Sequence, residues 1–262
     1  MPVITLLTDF GFKDGFTGVM RGVILTILPE VQIVDITHAI SPQNILEGSL
    51  VLANTAPYFP PGTIHVAVVD PGVGTARRPM AARIGEQYFI GPDNGLFTGV
   101  IEAAEKAGDS MTFYHLNKPE YWLKEVSRSF HGRDIFAPVA AHLAAGVPVE
   151  KMGEPVTDPA RIMIPRPEAT IEGWAGQVLA VDHFGNLLTN LGPEHLSANK
   201  RVVIKVGEAR IDGLVETFGE REPGSLVAMI DSSGVLEIAE VNGSAAEKLK
   251  VGSGTSVFLK NC

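Results

Sequence analysis

The stretch IHVAVVDPGVG, residues 64–74, decides the fold. Its IHVAVV half is one apolar run, the pattern of a strand buried on both faces, and Asp70-Pro71-Gly72 then turns the chain out of it. A strand of that kind needs a helical layer on each side. The preceding sequence supplies two helices. Residues 3–8 read as a first strand, followed by a helix over 15–28 that Pro29 stops. Residues 33–36 are the next strand, and Ser41-Pro42 reads as an N-cap with proline in the first turn, opening a helix to about residue 56. Downstream, 88–90 is a shorter strand with a helix after Gly95, and the Ala-rich stretch 134–145 is helical. Strands alternating with helices predict the α/β class, with a mainly parallel sheet.

The texture then changes. Pro155, Pro159, Pro165 and Pro167 exclude regular helix and central strand. Beyond them, short apolar runs at 177–181, 202–206, 226–230, 235–239 and 256–259 are separated by Gly, Asp, Asn and Ser, which predicts a small β-barrel. The expected division is 1–166 for an N-terminal α/β domain and 167–262 for a C-terminal barrel domain.

With 45% apolar and 19% charged residues the chain has the composition of a globular protein rather than a disordered one. A formal net charge of −9 argues against a nucleic-acid or anionic-membrane partner and suits a cationic ligand. The one cysteine, Cys262, excludes an intrachain disulfide and a Cys-based zinc site. No apolar run approaches the ~20 residues that span a bilayer, and the opening MPVITLLTDFG lacks the basic start of a signal peptide, so a cytoplasmic location is expected.

Parallel sheets bind ligands at the carboxyl ends of their strands, where Asp9, Asp35, Asp70 and Asp93 all fall. Each has a competing role as a helix cap or turn residue. Asp35 fits that role; Asp70 and Asp93, in Gly/Pro-flanked loops, favour function. Gly72 and Gly74 permit a tight turn that would fold Arg77 or Arg78 back toward Asp70. His131, in SRSFHGRD, precedes a helix. A Walker loop, a His-Glu-x-x-His helix and a Gly-x-Ser-x-Gly elbow are all missing from the sequence. In the second half, Asp182, Phe184 and Asn186 of DHFGN suit a stacked, hydrogen-bonded base or an Asx-rich turn, and Ser232, Ser233 and Glu237 face either a ligand or water. From the residues alone the chain reads as an α/β plus β-barrel enzyme of unknown ligand, and the Asp-rich strand ends leave a metal-dependent hydrolase open.

Six blocks, TDFGFKDGFTGVMRG, VVDPGVGTARR, FIGPDNGLF, SFHGRDIFAPVAAHLA, VDHFGNLLTN and SSGVLEIAEVNGSAA, run in order along nearly the whole chain. Together they resemble the S-adenosylmethionine (SAM) hydrolase (SAM hydroxide adenosyltransferase) family, relatives of the SAM-dependent fluorinase and chlorinase; beside that reading stand a metal-dependent hydrolase and a non-catalytic binder of adenosine or SAM. The resemblance implies hydrolysis of SAM to adenosine and methionine with no cofactor or metal. It implies a homotrimer with SAM held between one subunit's first domain and its neighbour's second. Asp70, Arg77 and His131 match a catalytic trio, and Asp9 the residue on the ribose hydroxyls. Asp182, Phe184 and Asn186 match positions around the methionine amine and adenine, Ser232 a carboxylate contact, and Glu237 the same lining segment. The halogenases have Tyr in place of Asp70 and of His131, which sets this sequence with the hydrolases.

Overall fold

The computed structural model describes residues 1–196 and 201–261; Cys262 lies outside them. The chain divides into two compact units, Met1–Met163 and a second from Ile164 onward. The first contains β1 (Val3–Thr8), α1 (Phe16–Ile27), β2 (Gln32–Thr37), α2 (Ile45–Thr55), β3 (Ile64–Val68), β4 (Pro79–Ile84), β5 (Gln87–Pro92), α3 (Thr98–Ala107), β6 (Met111–His115), α4 (Ala137–Ala144) and β7 (Glu154–Val156). Its seven strands lie in the order β2-β1-β3-β5-β4-β6-β7. The half containing β2, β1, β3 and β5 is parallel, and β4, β6 and β7 add to it antiparallel.

Alternation along the central strands divides the apolar residues between two cores. Ile4 and Leu6 of β1 with Val66 and Val68 of β3 pack against Met20 and Ile24 of α1 and Val139 of α4. Leu7 and Ala67 point the other way, toward Leu52 of α2 and Ile101 of α3. Each such Leu, Ile or Val contributes roughly 2 kcal/mol by leaving water, before chain entropy is subtracted. β3 is buried along its whole length, as its apolar run requires.

From β1 the chain passes over one face through α1 to β2, then returns over the other through α2 to β3 on β1's far side. The strand order therefore reverses between β1 and β3, and a crevice opens at their carboxyl ends. Asp9 follows β1 there, and Asp70 follows β3 closely.

One local reading of the sequence is corrected, and one strand is added that it did not predict. The second helix starts at Ile45, capped by the Asn44 side chain accepting from Glu47 N, and not at Ser41-Pro42. Gln43 adopts φ 65°, outside the helical region, with its N–H donated to Asp9 Oδ2 at 2.8 Å. The β4 strand, PMAARI, has no β-branched alternation to announce it. Ladders on both sides impose it, with Ala81 facing Ile90 of β5 and Tyr114 of β6. In the proline-rich stretch, Pro155 sits in β7, an edge strand, where its missing N–H breaks no ladder.

The second unit contains β8 (Glu168–Thr170), β9 (Gly173–Val181), β10 (Leu187–Thr189), β11 (Val202–Val206), β12 (Ala209–Asp212), β13 (Leu226–Ile230), β14 (Leu236–Glu240), α5 (Ala245–Leu249) and β15 (Ser256–Asn261). The main path β12-β11-β15-β9-β10-β14-β13 is antiparallel, with β8 paired to β9. Just past β12, Val215 donates to Ala228 O of β13 at 2.9 Å, so the sheet nearly closes into a barrel around Val178, Leu187, Ile204, Ile238 and Val257.

Candidate active site

The DPGVGTAR loop after β3 folds Arg77 back onto Asp70. Val73 N donates to Asp70 O, Thr75 N to Gly72 O, and Thr75 Oγ1 to the same Gly72 carbonyl at 2.7 Å. Arg77 Nε then lies 2.9 and 3.0 Å from the two Asp70 oxygens, and Nη2 also donates to Oδ2. The pair is nearly buried, with the Arg77 and Asp70 side chains 9% and 4% exposed, and the guanidinium lies over the Phe136 ring. Arg78 goes elsewhere. It donates to Asp93 Oδ2 and to the side chain and carbonyl of Asp158. Asp93, which the sequence favoured as functional, is thereby engaged by Arg78 and by Ala160 N and does not reach the Asp70 cluster.

His131 enters from a different element. It opens a π-helical turn, residues Gly132–Phe136, that leads into α4. The fully buried Asp134 accepts from Ser127 N and Oγ, and Ser127 Oγ in turn accepts from Phe130 N, which fixes the loop carrying His131. His131 Nδ1 lies 2.9 Å from Arg77 Nη2. A guanidinium can only donate, so Nδ1 accepts and the ring proton sits on Nε2. Burial, then the Arg77 charge, holds the imidazole below its ordinary pKa, against the opposing pull of Asp70, Asp134 and the Ser127 carbonyl.

A cavity of about 310 Å³ opens at the crevice between β1 and β3, with Asp9, Asp70 and His131 on its wall. Arg77 stands behind that wall. An aromatic part of the lining was not read from the sequence: Phe10, Phe16 and Phe130 form a triangle of edge-on rings 5.2–6.0 Å apart. Gln43 and Ser129 also line it. The sequence places Phe10 and Phe16 in TDFGFKDGF and Phe130 beside His131 in SRSFHGRD.

In the second unit, Asp182, Phe184, Asn186 and Glu237 share a separate cavity of about 650 Å³. Asp182 is committed to its own loop, accepting from Phe184 N and Asn186 N at Oδ1 and from Asn186 Nδ2 at Oδ2. Phe184 is 73% exposed. Glu237 is 6% exposed, and burial, then the charges of Asp182 and Asp231, raise its pKa to about 7. Ser232 is exposed in the turn between β13 and β14, outside that cavity's lining. Among the described residues no three His, Cys, Asp or Glu side chains converge as a metal requires, and no helix is long and apolar enough to cross a membrane.

The SAM hydroxide adenosyltransferase N-terminal domain matches residues 4–153 and the C-terminal domain of the same family residues 176–258. An (R)-S-adenosyl-L-methionine hydrolase from Salinispora arenicola is 39% identical over 97% of this chain and 95% of its own. A fluorinase from Nocardia brasiliensis is 29% identical, covering 99% and 97%. A solved structure of an uncharacterized conserved protein from Thermotoga maritima superposes with TM-score 0.90 at 36% identity, covering 98% of this chain and all of that one. With both domain models matched in order and close relatives aligned end to end, this chain belongs to the SAM hydroxide adenosyltransferase family.

Proposed function

We propose that this protein hydrolyses SAM, in the (R) form that its hydrolase relatives are named for, to adenosine and methionine. The observation that carries the reading is the Asp70–Arg77–His131 cluster, whose Asp and His face one cavity with Asp9. Water attacks the ribose C5′ in line with the C5′–S bond. The C–O bond forms as the C–S bond breaks, methionine leaves as a neutral thioether, and one proton is released. A sulfonium needs no acid to help it leave, so the protein's task is to orient the water and take its proton.

Asp70 is the acceptor on the cavity wall. Arg77 fixes the orientation of that carboxylate and lends positive charge behind a hydroxide-like nucleophile. His131, with Nδ1 already occupied by Arg77, serves as the third side of the frame rather than as the base. Asp9 holds the ribose hydroxyls. In the second unit, Phe184 and Asn186 bind the adenine, Asp182 shapes their loop, and Glu237 with Ser232 meets the amino-acid end. We assign the first unit the reacting groups and the second the completion of the substrate site. The working form is a cytoplasmic homotrimer, with SAM between one subunit's first unit and its neighbour's second.

The test is product identification from purified protein incubated with SAM in ¹⁸O-labelled water, without added metal. Adenosine carrying the label at its 5′-oxygen is expected. Adenine or methylthioadenosine as the main product would overturn the assignment, and unchanged SAM would leave only a binding role.

A further inference from the structure

The Asp9 carboxylate can serve the ribose only if the backbone carrying it is held still, and a buried group behind it does this. Thr8 and His38 are both fully buried, at the ends of β1 and β2, and Thr8 Oγ1 lies 2.8 Å from His38 Nδ1. Phe10 N donates to the same Thr8 oxygen at 3.2 Å, and Gly11 N donates to His38 O at 2.7 Å. The residues on both sides of Asp9 are therefore tied to one histidine.

The direction of the bonds follows from the donors. Thr8 Oγ1 already receives the Phe10 N–H, so its own proton is free to go to His38 Nδ1. That places the ring proton on Nε2, which lies 3.2 Å from Asp35 Oδ1, and Asp35 is paired with Arg21. Nε2 and Oδ1 are close without hydrogen-bond geometry; the reverse tautomer would still put a lone pair beside the carboxylate and leave the threonine hydroxyl without an acceptor. Burial, then the Arg21 charge, lowers the pKa of the ring and so favours its neutral form.

We propose that His38, acting through Thr8, is a positioning residue that sets the place of Asp9 in the substrate cavity. This rests on the reading of Asp9 as the ribose contact. It predicts an effect on substrate binding rather than on the chemical step, because His38 is not on the cavity wall.

The experiment compares Thr8→Val, which keeps the shape and removes the hydroxyl, with Thr8→Ser, which keeps it, and with Asp9→Ala. Thr8→Val is expected to raise the KM for SAM by about tenfold, the scale of one lost hydrogen bond, with kcat within about twofold. Thr8→Ser should stay near the parent, and His38→Asn, which retains an acceptor at the Nδ1 position, should lie between. If Asp9→Ala raises KM and Thr8→Val does not, the positioning role is wrong while the ribose contact stands. If Asp9→Ala leaves KM unmoved, the ribose reading falls and takes this one with it. Should Thr8→Val fail to fold, His38→Leu, which removes the ring nitrogen bonded to Thr8, decides: a raised KM with kcat kept supports the proposal, and a KM at the parent value overturns it.

Discussion

Arg77 Nη2 lies 2.9 Å from Nδ1 of His131 while the same guanidinium grips both oxygens of Asp70. One rigid donor fork thus holds an acceptor on either side, and this fixes which member of the trio can take a proton. If His131 is a frame, an asparagine, whose side-chain oxygen can replace Nδ1 as acceptor, should preserve much of what an alanine loses. His131→Ala, Asp70→Ala and Arg77→Ala are each expected to lower turnover by about 10²-fold or more, and His131→Asn by about tenfold. Arg77→Lys should resemble the alanine, because a point charge cannot bridge two acceptors. Single-turnover rates with SAM check this; equal losses in His131→Asn and His131→Ala would return a proton-relay role to the imidazole.

The proposed contact of Glu237 with the substrate would make binding depend on pH. Its carboxyl stays protonated up to about pH 7 because it is buried and faces the charges of Asp182, at the loop after β9, and Asp231, after β13. Glu240, on the same strand, is paired with Lys248 of α5. A cationic substrate favours the ionised form, so KM should fall as pH rises through about 7, and binding below that should expel a proton. Calorimetry in buffers of differing ionisation enthalpy should show that release, and Glu237→Gln should abolish it. The same raised value costs stability. The unfolded chain ionises this carboxyl near its ordinary 4.5, so stability declines from there to about pH 7 and then levels. Glu237→Gln should therefore gain in Tm, relative to the parent, across that window.

The sequence was legible wherever local chemistry and fold agreed. The run at residues 64–69 announced a strand buried on both faces, and strand-end aspartates pointed to the edge of the sheet where the cavity opens. It failed where partners distant in the chain decided the outcome. Nothing local separates Arg77 from Arg78; Asp158, eighty residues on, draws Arg78 away. Asp93 and Asp70 sit in similar loops, and only the tertiary pairing of Asp93 with Arg78 and Ala160 makes it structural. Gln43 breaks its helix start because Asp9, thirty-four residues earlier, takes its N–H.

Gly74 tests whether the loop holding Arg77 has any slack. Its φ is +75°, and a Cβ there would stand 2.1 Å from the Arg128 carbonyl oxygen, a backbone atom that cannot swing aside. Gly72 has an ordinary φ, and a Cβ would meet the flexible Arg77 Cγ at 3.3 Å. Gly74→Ala is expected to destabilise by about 2 kcal/mol or more and to lose activity along with it, while Gly72→Ala costs far less stability. Thermal unfolding of the two variants decides; equal Tm values would mean that the loop adapts.

The proposed sharing of substrate between subunits is tested by complementation. Asp70→Ala removes a reacting group of the first unit, and Asn186→Ala a binding group of the second. If each site draws on two subunits, mixing the two inactive chains under conditions that allow reassembly should restore part of the activity. A fully active monomer in sedimentation would end the idea.

The last prediction concerns halide, since the fluorinase relative aligns over nearly the whole chain. A halide ion must shed its hydration shell to attack carbon, and it does so only where donors or positive charge replace the water. The cavity wall offers the reverse. Asp9 and Asp70 line it together with the apolar rings of Phe10, Phe16 and Phe130, and the Arg77 guanidinium lies behind Asp70 rather than on the wall. An anion entering would meet two carboxylates at close range in a poorly screened space. Water meets no such repulsion and finds an acceptor for its proton. High chloride or fluoride should therefore give no 5′-halo-5′-deoxyadenosine and slow hydrolysis at most mildly. The reverse synthesis of SAM from 5′-chloro-5′-deoxyadenosine and methionine should be negligible as well. Chromatography of the products checks both, and halogenated nucleoside forming at a rate comparable with adenosine would show that Asp70 does not stand beside the attacking atom.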